Sequence, residues 1–290
     1  MSSFDLICLG EPMVEFNQQS EGMYRIGIGG DVSNVAISAS QHGARTAFIS
    51  RLGKDIFGAE IIKKWQSEGV DYSNVESISG EETGVYFVTH GPEGHRFSYR
   101  RTNSAASKFQ SSALPREVIC ASSVFYASGI NLAISASVHK ATLDAIHLAR
   151  EYSTMVAFDP NLRTALWPID QAREAIHGAF RYCDIALPSL EDAQQLTGLT
   201  NPAHICDFYH KLGPKNVVLT LGKNGVYLSE EGQPTLLPGQ QVESVDATGA
   251  GDCFNGAFIA TWIKTKCIKT AAEVANIAAA KSTTKFGALS

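Results

Sequence analysis

A short acidic and glycine-rich segment has the composition needed for phosphate chemistry. It runs Asp246-Ala-Thr-Gly-Ala-Gly-Asp252 and leads into a helix-like apolar run at 253–262. Small residues let the backbone approach an anion, and the start of a helix directs unpaired N–H groups at it. We therefore expect Asp252 to accept the proton of an attacking hydroxyl, whereas a helix cap is the alternative interpretation. The N–H groups expected to bind the phosphoryl group belong to Gly249, Ala250 and Gly251.

A second segment, at 29–36, combines a glycine pair with an amide side chain and then a helical pattern. Together with 246–256 it resembles the paired signatures of the PfkB, or ribokinase-like, family of carbohydrate kinases. Other marks of that family occur in the right order, at 159–163, 217–225 and 275–276. The resemblance spans nearly the whole chain. It implies a phosphotransferase that uses an alcohol group of a sugar as the acceptor.

The order of apolar segments predicts the architecture. Short β-rich runs alternate with runs of helical periodicity, as in a parallel sheet covered by helices on both faces. The resemblance implies the same α/β class, a ribokinase-like three-layer α/β/α domain over 1–290 with a mainly parallel central sheet. Residues 11–28 and 83–103 break the alternation, and 83–89 with 95–101 have the pattern of a hairpin. We expect a small β-sheet lid there, the alternative being an edge hairpin of the main sheet.

Composition narrows the function class. The 290 residues are 44% hydrophobic, which suffices for a substantial core. The formal net charge of −5 argues against nucleic-acid or anionic-membrane partners, because both reward clustered positive charge. The six cysteines show no Cys-x-x-Cys spacing, and no apolar run approaches the roughly 20 residues needed to span a bilayer. These features predict a cytoplasmic enzyme that acts on small molecules.

The predicted lid also bears on the substrate. Strand alternation puts Arg100 on one face and Arg101 on the other, so an arginine faces inward in either register. A sugar acid needs such a cation to offset the desolvation of its carboxylate. Arg163 is a further candidate cation. The alternative is that these charges protect an exposed sheet edge.

Within the family, segments 10–16 and 97–109 look most like 2-keto-3-deoxygluconate kinases. Members that act on neutral sugars usually carry Asp where Glu15 stands. The resemblance implies that ATP phosphorylates the 6-hydroxyl of 2-keto-3-deoxy-D-gluconate, and that the chain forms a homodimer through the lid. The implied sugar contacts are Gly30, Asn34, Tyr86, Ser98, Arg100, Arg101 and Arg163.

The resemblance also implies a nucleotide site. Mg²⁺ is expected with ATP, held through water by Asp192, and a monovalent cation such as K⁺ is expected near Asp246 and Thr248. Since phosphoryl transfer depends on geometry more than on base strength, Asp252 can act with an ordinary carboxylate pKa. The implied ATP contacts are Asn161, Ser189, Thr220, Gly222, Lys223, Gly225 and Asn276. From the residues alone, Ser189 is equally well explained as a helix cap and 222–225 as a hairpin turn.

Other functions remain open at this level. A fructokinase, or another kinase of a neutral sugar or nucleoside, would share every catalytic feature. A non-catalytic sugar-binding regulator could use the same scaffold, although the intact Asp252 segment argues against it. A dehydrogenase would need Gly-x-Gly-x-x-Gly after the first strand, and 9–13 lacks that pattern.

Overall fold

The computed structural model describes residues 4–91, 94–285 and 287. The strands are β1 (Leu6–Leu9), β2 (Met13–Ser20), β3 (Met23–Gly29), β4 (Thr46–Gly53), β5 (Val70–Ile78), β6 (Val85–Gly91), β7 (Gly94–Arg100), β8 (Val124–Ser128), β9 (Met155–Asp159), β10 (Ile185–Ala186), β11 (Asn216–Thr220), β12 (Val226–Glu230) and β13 (Gln233–Leu237). The helices are α1 (Asp31–Gln41), α2 (Ile56–Glu68), α3 (Arg116–Cys120), α4 (Gly129–Ile134), α5 (Ala136–Glu151), α6 (Ile169–Phe180), α7 (Leu190–Thr197), α8 (Pro202–Leu212), α9 (Ala250–Thr265) and α10 (Ile268–Ser282). None of the helices in the described part of the chain is long and apolar enough to cross a membrane.

The larger sheet has the strand order β13-β12-β11-β10-β9-β8-β1-β4-β5. Every pair from β11 across to β5 is parallel, whereas β12 and β13 are antiparallel at one edge. Residues of α1, α2, α9 and α10 belong to the core on one face, and residues of α3 to α8 belong to the core on the other. Because both faces are covered, the central strands read as continuous apolar runs. This arrangement confirms the predicted three-layer fold.

The smaller sheet has the order β3-β2-β6-β7 and is separate from the larger one, so the alternative of an edge hairpin is wrong. Register fixes which side chains share a face. Tyr86 on β6 pairs with Tyr99 on β7 and with Glu15 on β2, so these three side chains lie on one face. Ser98 and Arg100 lie on the other face. Part of the predicted turn at 91–94, namely 92–93, lies outside the described residues.

The helices α1 and α9 are in close contact. A Cβ atom on Gly256 of α9 would lie 2.5 Å from the carbonyl oxygen of Val35 and 2.8 Å from the amide nitrogen of Ala39. The Ser38 hydroxyl of α1 also donates to the carbonyl of Cys253, at 2.8 Å. This contact fixes the start of α1 relative to the start of α9, where Asp252 lies.

We expect Gly256→Ala to lower the free energy of unfolding by about 2 kcal/mol, because the new methyl group forces the two backbones apart. Alanine is otherwise the better helix former by about 1 kcal/mol. Gly178→Ala in α6 is the matched control, since its Cβ meets nothing within 4 Å, and it should leave stability unchanged or raise it. Urea unfolding measures both variants. Equal midpoints would show that the contact between α1 and α9 can relax.

Candidate active site

Asp252 lies in the first turn of α9. Gly249 precedes the helix with a φ of 72°, a left-handed conformation that favours glycine, and no side chain of the described residues caps this end. Gly251 is exposed, and a Cβ there would meet nothing within 4 Å. Asp252 itself is half-buried, and its Oδ2 atom accepts a hydrogen bond of 2.8 Å from the Asn34 side-chain amide. The open helix end and the carboxylate are therefore adjacent, as predicted for phosphoryl transfer.

The surroundings raise the pKa of Asp252 to about 7. Burial is the largest cause, and the negative charge of Asp31 adds to it. The hydrogen bond from Asn34 and the positive charge of Arg163 act in the opposite direction. This differs from the ordinary carboxylate pKa that the sequence suggests, because the second carboxylate near Asp252 comes from a distant segment. A base with a pKa near neutrality is well matched to accepting a hydroxyl proton.

Asp31 is the first residue of α1, and its side chain is hydrogen-bonded to residues at or just after the ends of β8 and β9. Its Oδ2 atom accepts hydrogen bonds from the Ser128 hydroxyl at the end of β8 and from the Asn161 side-chain amide, the latter at 2.8 Å. Asn161 follows β9 and has a φ of 32°, which is uncommon for a residue other than glycine. The amide of Asn161, an expected ATP contact, is therefore engaged with Asp31.

Gly30 and Asn34 form the start of α1 beside this cluster. Gly30 has a φ of 100°, and a Cβ there would lie 2.5 Å from the carbonyl oxygen of Glu11. Asn34 is buried, and its Oδ1 atom has no hydrogen-bond partner among the described residues. Since an unsatisfied buried acceptor is costly, this oxygen is suited to a ligand hydroxyl.

The inner face of the small sheet carries a buried polar pair. The Tyr86 hydroxyl donates to Glu15 Oε2 at 2.6 Å, and the Asn17 side-chain amide donates to Glu15 Oε1 at 3.2 Å. A Cβ on Gly29 would lie 2.1 Å from the Tyr86 hydroxyl oxygen, so only glycine fits there. Burial and the neighbouring Glu15 raise the pKa of Tyr86 well above its usual range, which keeps the hydroxyl protonated as a donor.

The three predicted arginines have different environments. Arg101 forms a buried ion pair with Glu11, whose other oxygen accepts from the Ser104 hydroxyl at 2.6 Å. Arg100 is exposed and donates to the carbonyl of its neighbour Tyr99. Arg163 is exposed and donates to the Leu162 carbonyl at 2.9 Å, and its charge opposes the raised pKa values of both Asp252 and Tyr99. Of the three, Arg163 is the one that is exposed, has no carboxylate partner among the described residues and affects the pKa of Asp252.

Five of the seven predicted nucleotide residues come together beside the start of α9, whereas Asn161 and Ser189 do not line this cavity. A cavity of about 310 Å³ lies between the β11–β12 turn, the loop before α9, and α10. Asn276 lines it and donates its side-chain amide to the carbonyl of Pro238 at 2.8 Å. The predicted residues that line the cavity are Thr220, Gly222, Lys223, Gly225, Ala250, Gly251 and Asn276.

Ser189, an expected ATP contact, and the expected metal residues Asp192 and Asp246 have structural partners. Ser189 caps α7 by accepting from the backbone N–H of Asp192, as its alternative interpretation predicts. Asp192 is half-buried and accepts from the Leu162 N–H at 3.2 Å. Both oxygens of Asp246 accept backbone N–H groups, one from Thr248 and one from Gly287, each at 2.9 Å. No group of three or more candidate ligands for a metal ion occurs within the described ranges.

Sequence reasoning did not assign a role to several residues that the fold brings to this site. They are Glu11, Asp31, Tyr99 and Ser128, and Glu15 was noted only as a departure from Asp. Asp31 had a usable signal, since it follows the glycine pair directly. The other residues come from separate segments of the chain. Glu15 and Tyr99 reach the site through the pairing of the strands of the small sheet, and Glu11 and Ser128 are recognised only by their hydrogen bonds in the folded protein.

The fold and this site define a class of enzyme that transfers a group to a bound hydroxyl. Comparison with known proteins agrees. A family model described as pfkB family carbohydrate kinase matches residues 4–290. The chain is 33% identical to the 2-dehydro-3-deoxygluconokinase of Thermoproteus tenax over 269 residues, covering 89% of this chain and 82% of that protein. It is 34% identical to fructokinase-1 of Zea mays, with coverages of 90% and 84%.

A solved structure shows the same likeness. A proposed ribokinase II from E. coli, in complex with ATP and Mg²⁺, superposes with a TM-score of 0.90 at 25% identity, covering 98% of this chain and 94% of that one. The chain therefore belongs to the pfkB family of carbohydrate kinases, and its fold is ribokinase-like. It is a phosphotransferase with an alcohol group as acceptor.

Proposed function

We propose that the protein transfers the γ-phosphoryl group of ATP to the 6-hydroxyl of 2-keto-3-deoxy-D-gluconate. The observation that carries the proposal is Arg163, whose guanidinium pairs with no carboxylate of the described residues and lies near Asp252 and Tyr99. A free guanidinium suits a sugar carboxylate because it can bind both oxygens. The 33% identity to a 2-dehydro-3-deoxygluconokinase supports the same substrate.

In this proposal each part of the site has one task. Asn34 and the Tyr86–Glu15 pair hold the sugar chain, and Arg163 holds its carboxylate end. Asp252 orients the terminal hydroxyl and takes its proton as the phosphoryl group arrives. The N–H groups of Gly249 and Gly251 at the start of α9 stabilise the charge on that group, and the N–H of Ala250 joins them only if it gives up its 3.2 Å hydrogen bond to the Ala247 carbonyl. The small sheet, acting as a lid, excludes water and so protects ATP from hydrolysis.

ATP fits the cavity between β11, β12 and α10. The cavity adjoins Ala250 and Gly251 at the open end of α9, so a nucleotide lying in it can direct its phosphates toward Asp252. The proposed ribokinase II that binds ATP and Mg²⁺ supports this placement. Asp192 would hold Mg²⁺ through water, in keeping with an ion that needs few protein carboxylates. When bound, Mg²⁺ supplies charge neutralisation at the phosphate oxygens.

A neutral sugar is the second candidate, since the chain is 34% identical to a fructokinase. The carboxylates of Asp31 and Glu15 favour it, because they can accept hydrogen bonds from several hydroxyl groups. The two candidates differ in what Arg163 should do.

In either case, the exposed Met23, Ile26 and Phe97 on the small sheet support a homodimer through the lid, which the molecular mass in solution tests.

Arg163→Gln should separate the two candidates. With 2-keto-3-deoxygluconate we expect KM to rise at least about 10-fold, because a hydrogen bond to a charged group is lost. With fructose or ribose KM should stay unchanged. A coupled assay of ADP release over this panel of sugars gives both values. Arg100→Gln is the control, since Arg100 lies on the face of the small sheet opposite to the one that carries Tyr86 and Tyr99. Equal losses for acid and neutral sugars would reject the carboxylate role of Arg163.

A further inference from the structure

Asp31 has an unused oxygen at the place where three segments meet. Its Oδ2 atom accepts from Ser128 and Asn161, which lie 97 and 130 residues away in the sequence. No group of the described residues donates to its Oδ1 atom, although the side chain is half-buried. Ser128 and Asn161 thereby fix the direction of the carboxylate. The remaining oxygen can only accept a hydrogen bond while the group is ionised.

The neighbours of this oxygen indicate a hydroxyl ligand. Asp31 and Asn34 lie one turn apart on α1, and the negative charge of Asp31 contributes to the raised pKa of Asp252. The Asn34 side-chain amide donates to Asp252, while the Asn34 Oδ1 atom is more than nine-tenths buried and has no partner among the described residues. Two acceptors without donors, beside the expected base, match a ligand that carries several hydroxyl groups.

We propose that Asp31 is a specificity-determining residue of the sugar site and that its Oδ1 atom accepts a hydrogen bond from one secondary hydroxyl of the acceptor. The proposal rests on the proposed function in one respect, namely that Asp252 is the base. Asp31 has two effects. It selects acceptors that carry that hydroxyl in the correct position, and its charge adjusts the pH at which Asp252 ionises. The positive charge of Arg163 has the opposite effect on the pKa of Asp252.

Asp31→Asn is a well-matched test variant. The asparagine Oδ1 atom can take over the hydrogen bonds from Ser128 and Asn161, so the change replaces only the free oxygen by an N–H donor. Wild type and variant are compared with the best sugar of the panel and with its monodeoxy analogues, each lacking one secondary hydroxyl. Wild-type kcat/KM should fall about 30-fold for one analogue, as expected for a lost hydrogen bond to a charged group. In Asp31→Asn the same analogue should differ from the parent sugar less than threefold, as for a non-contacting position.

The pH profile gives a second readout. Asp252 is faced by Asp31 from α1, by Asp159 and Arg163 at and after the end of β9, by Tyr126 from β8 and by Tyr86 from β6. Asp31→Asn removes one negative charge from this set. The acid limb of kcat/KM should therefore move down by about one pH unit. Ser128→Ala is the control, because it removes one donor but keeps the charge, and its acid limb should stay at the wild-type position.

Three outcomes decide the matter. A single analogue whose penalty disappears in Asp31→Asn, together with the shifted limb, supports the proposal. The proposal fails if every analogue lowers kcat/KM equally in wild type and in Asp31→Asn. It also fails if Asp31→Asn and Ser128→Ala lower kcat/KM equally and the acid limb of the pH profile does not move. Either result would mean that Asp31 only holds Asn161 in place. If wild type phosphorylates no sugar of the panel, the proposed function fails instead. Calorimetric binding of 2-keto-3-deoxygluconate to wild type and Asp31→Asn then tests the contact, and equal affinities would overturn it.

Discussion

Asp252→Asn is expected to lower kcat by about 10³-fold while leaving the fold and nucleotide affinity intact. General-base contributions lie in this range, and the variant keeps the shape of the side chain but cannot take a proton. The hydrogen bond from Asn34 can pass to the new amide oxygen. ADP release measures the loss, and calorimetric titration with ATP measures the retained affinity. A kcat within tenfold of wild type would reject Asp252 as the base.

The same variant has a stability signature with a definite sign. The pKa of Asp252 is raised from 3.8 to about 7 in the folded protein, so wild type loses stability as pH rises through that interval. Asparagine does not titrate. At pH 8 the variant should therefore be more stable than wild type, on the order of 2 kcal/mol, and the gain should shrink toward pH 4. A less stable variant at pH 8 would show that the site compensates the charge of Asp252.

This pH dependence cannot be inferred from the sequence around Asp252. The segment 246–252 predicts a helix start, an anion site and a carboxylate beside it, because all three are local properties. The pKa depends on Asp31, which is more than 200 residues away in the chain, and on the burial of Asp252 in the folded protein. Locally, Asp31 is only an acidic residue in the first turn of a helix.

The same division applies to the fold. The apolar residues of α6 (Ile169–Phe180) follow a helical period, so the sequence pattern there is typical of the helix that forms. The sequence pattern does not predict β5, where polar residues such as Asp71, Ser73 and Glu76 interrupt the apolar run. That strand forms because it adds to an edge of the sheet next to β4, which is a tertiary effect.

Register decides on which face of the small sheet Arg100 and Arg101 lie. Strand alternation shows that Arg100 and Arg101 lie on opposite faces, but it does not show which face turns inward. The pairing of Tyr86 with Tyr99 gives the answer, since the face of Tyr99 is also that of Glu15. The sequence also could not show that Arg101 already has a partner. That partner, Glu11, is 90 residues away.

Arg101→Ala should be the most destabilising of these substitutions. The side chains of Arg101 and Glu11 are 11% and 1% exposed, so the variant leaves a buried carboxylate without its cation. Breaking such a pair costs about 3–5 kcal/mol, and we expect an unfolding midpoint roughly 10 °C lower. Thermal unfolding followed by circular dichroism measures the shift. Arg100→Ala is the matched control. Arg100 is the exposed neighbour of Arg101, so its replacement should change stability by less than about 0.5 kcal/mol.

The double variant Glu11→Gln/Arg101→Ala separates structure from substrate binding. Removing both charges should recover most of the lost stability, since the glutamine can still accept from the Ser104 hydroxyl. If Arg101 only holds the end of β7 in place through its ion pair with Glu11, the double variant keeps its preference for a sugar acid over a neutral sugar. If the preference is lost while stability returns, Arg101 binds the carboxylate of the substrate as well, and Arg163 acts with a second arginine. Equal midpoints for Arg101→Ala and Arg100→Ala would contradict the buried ion pair itself.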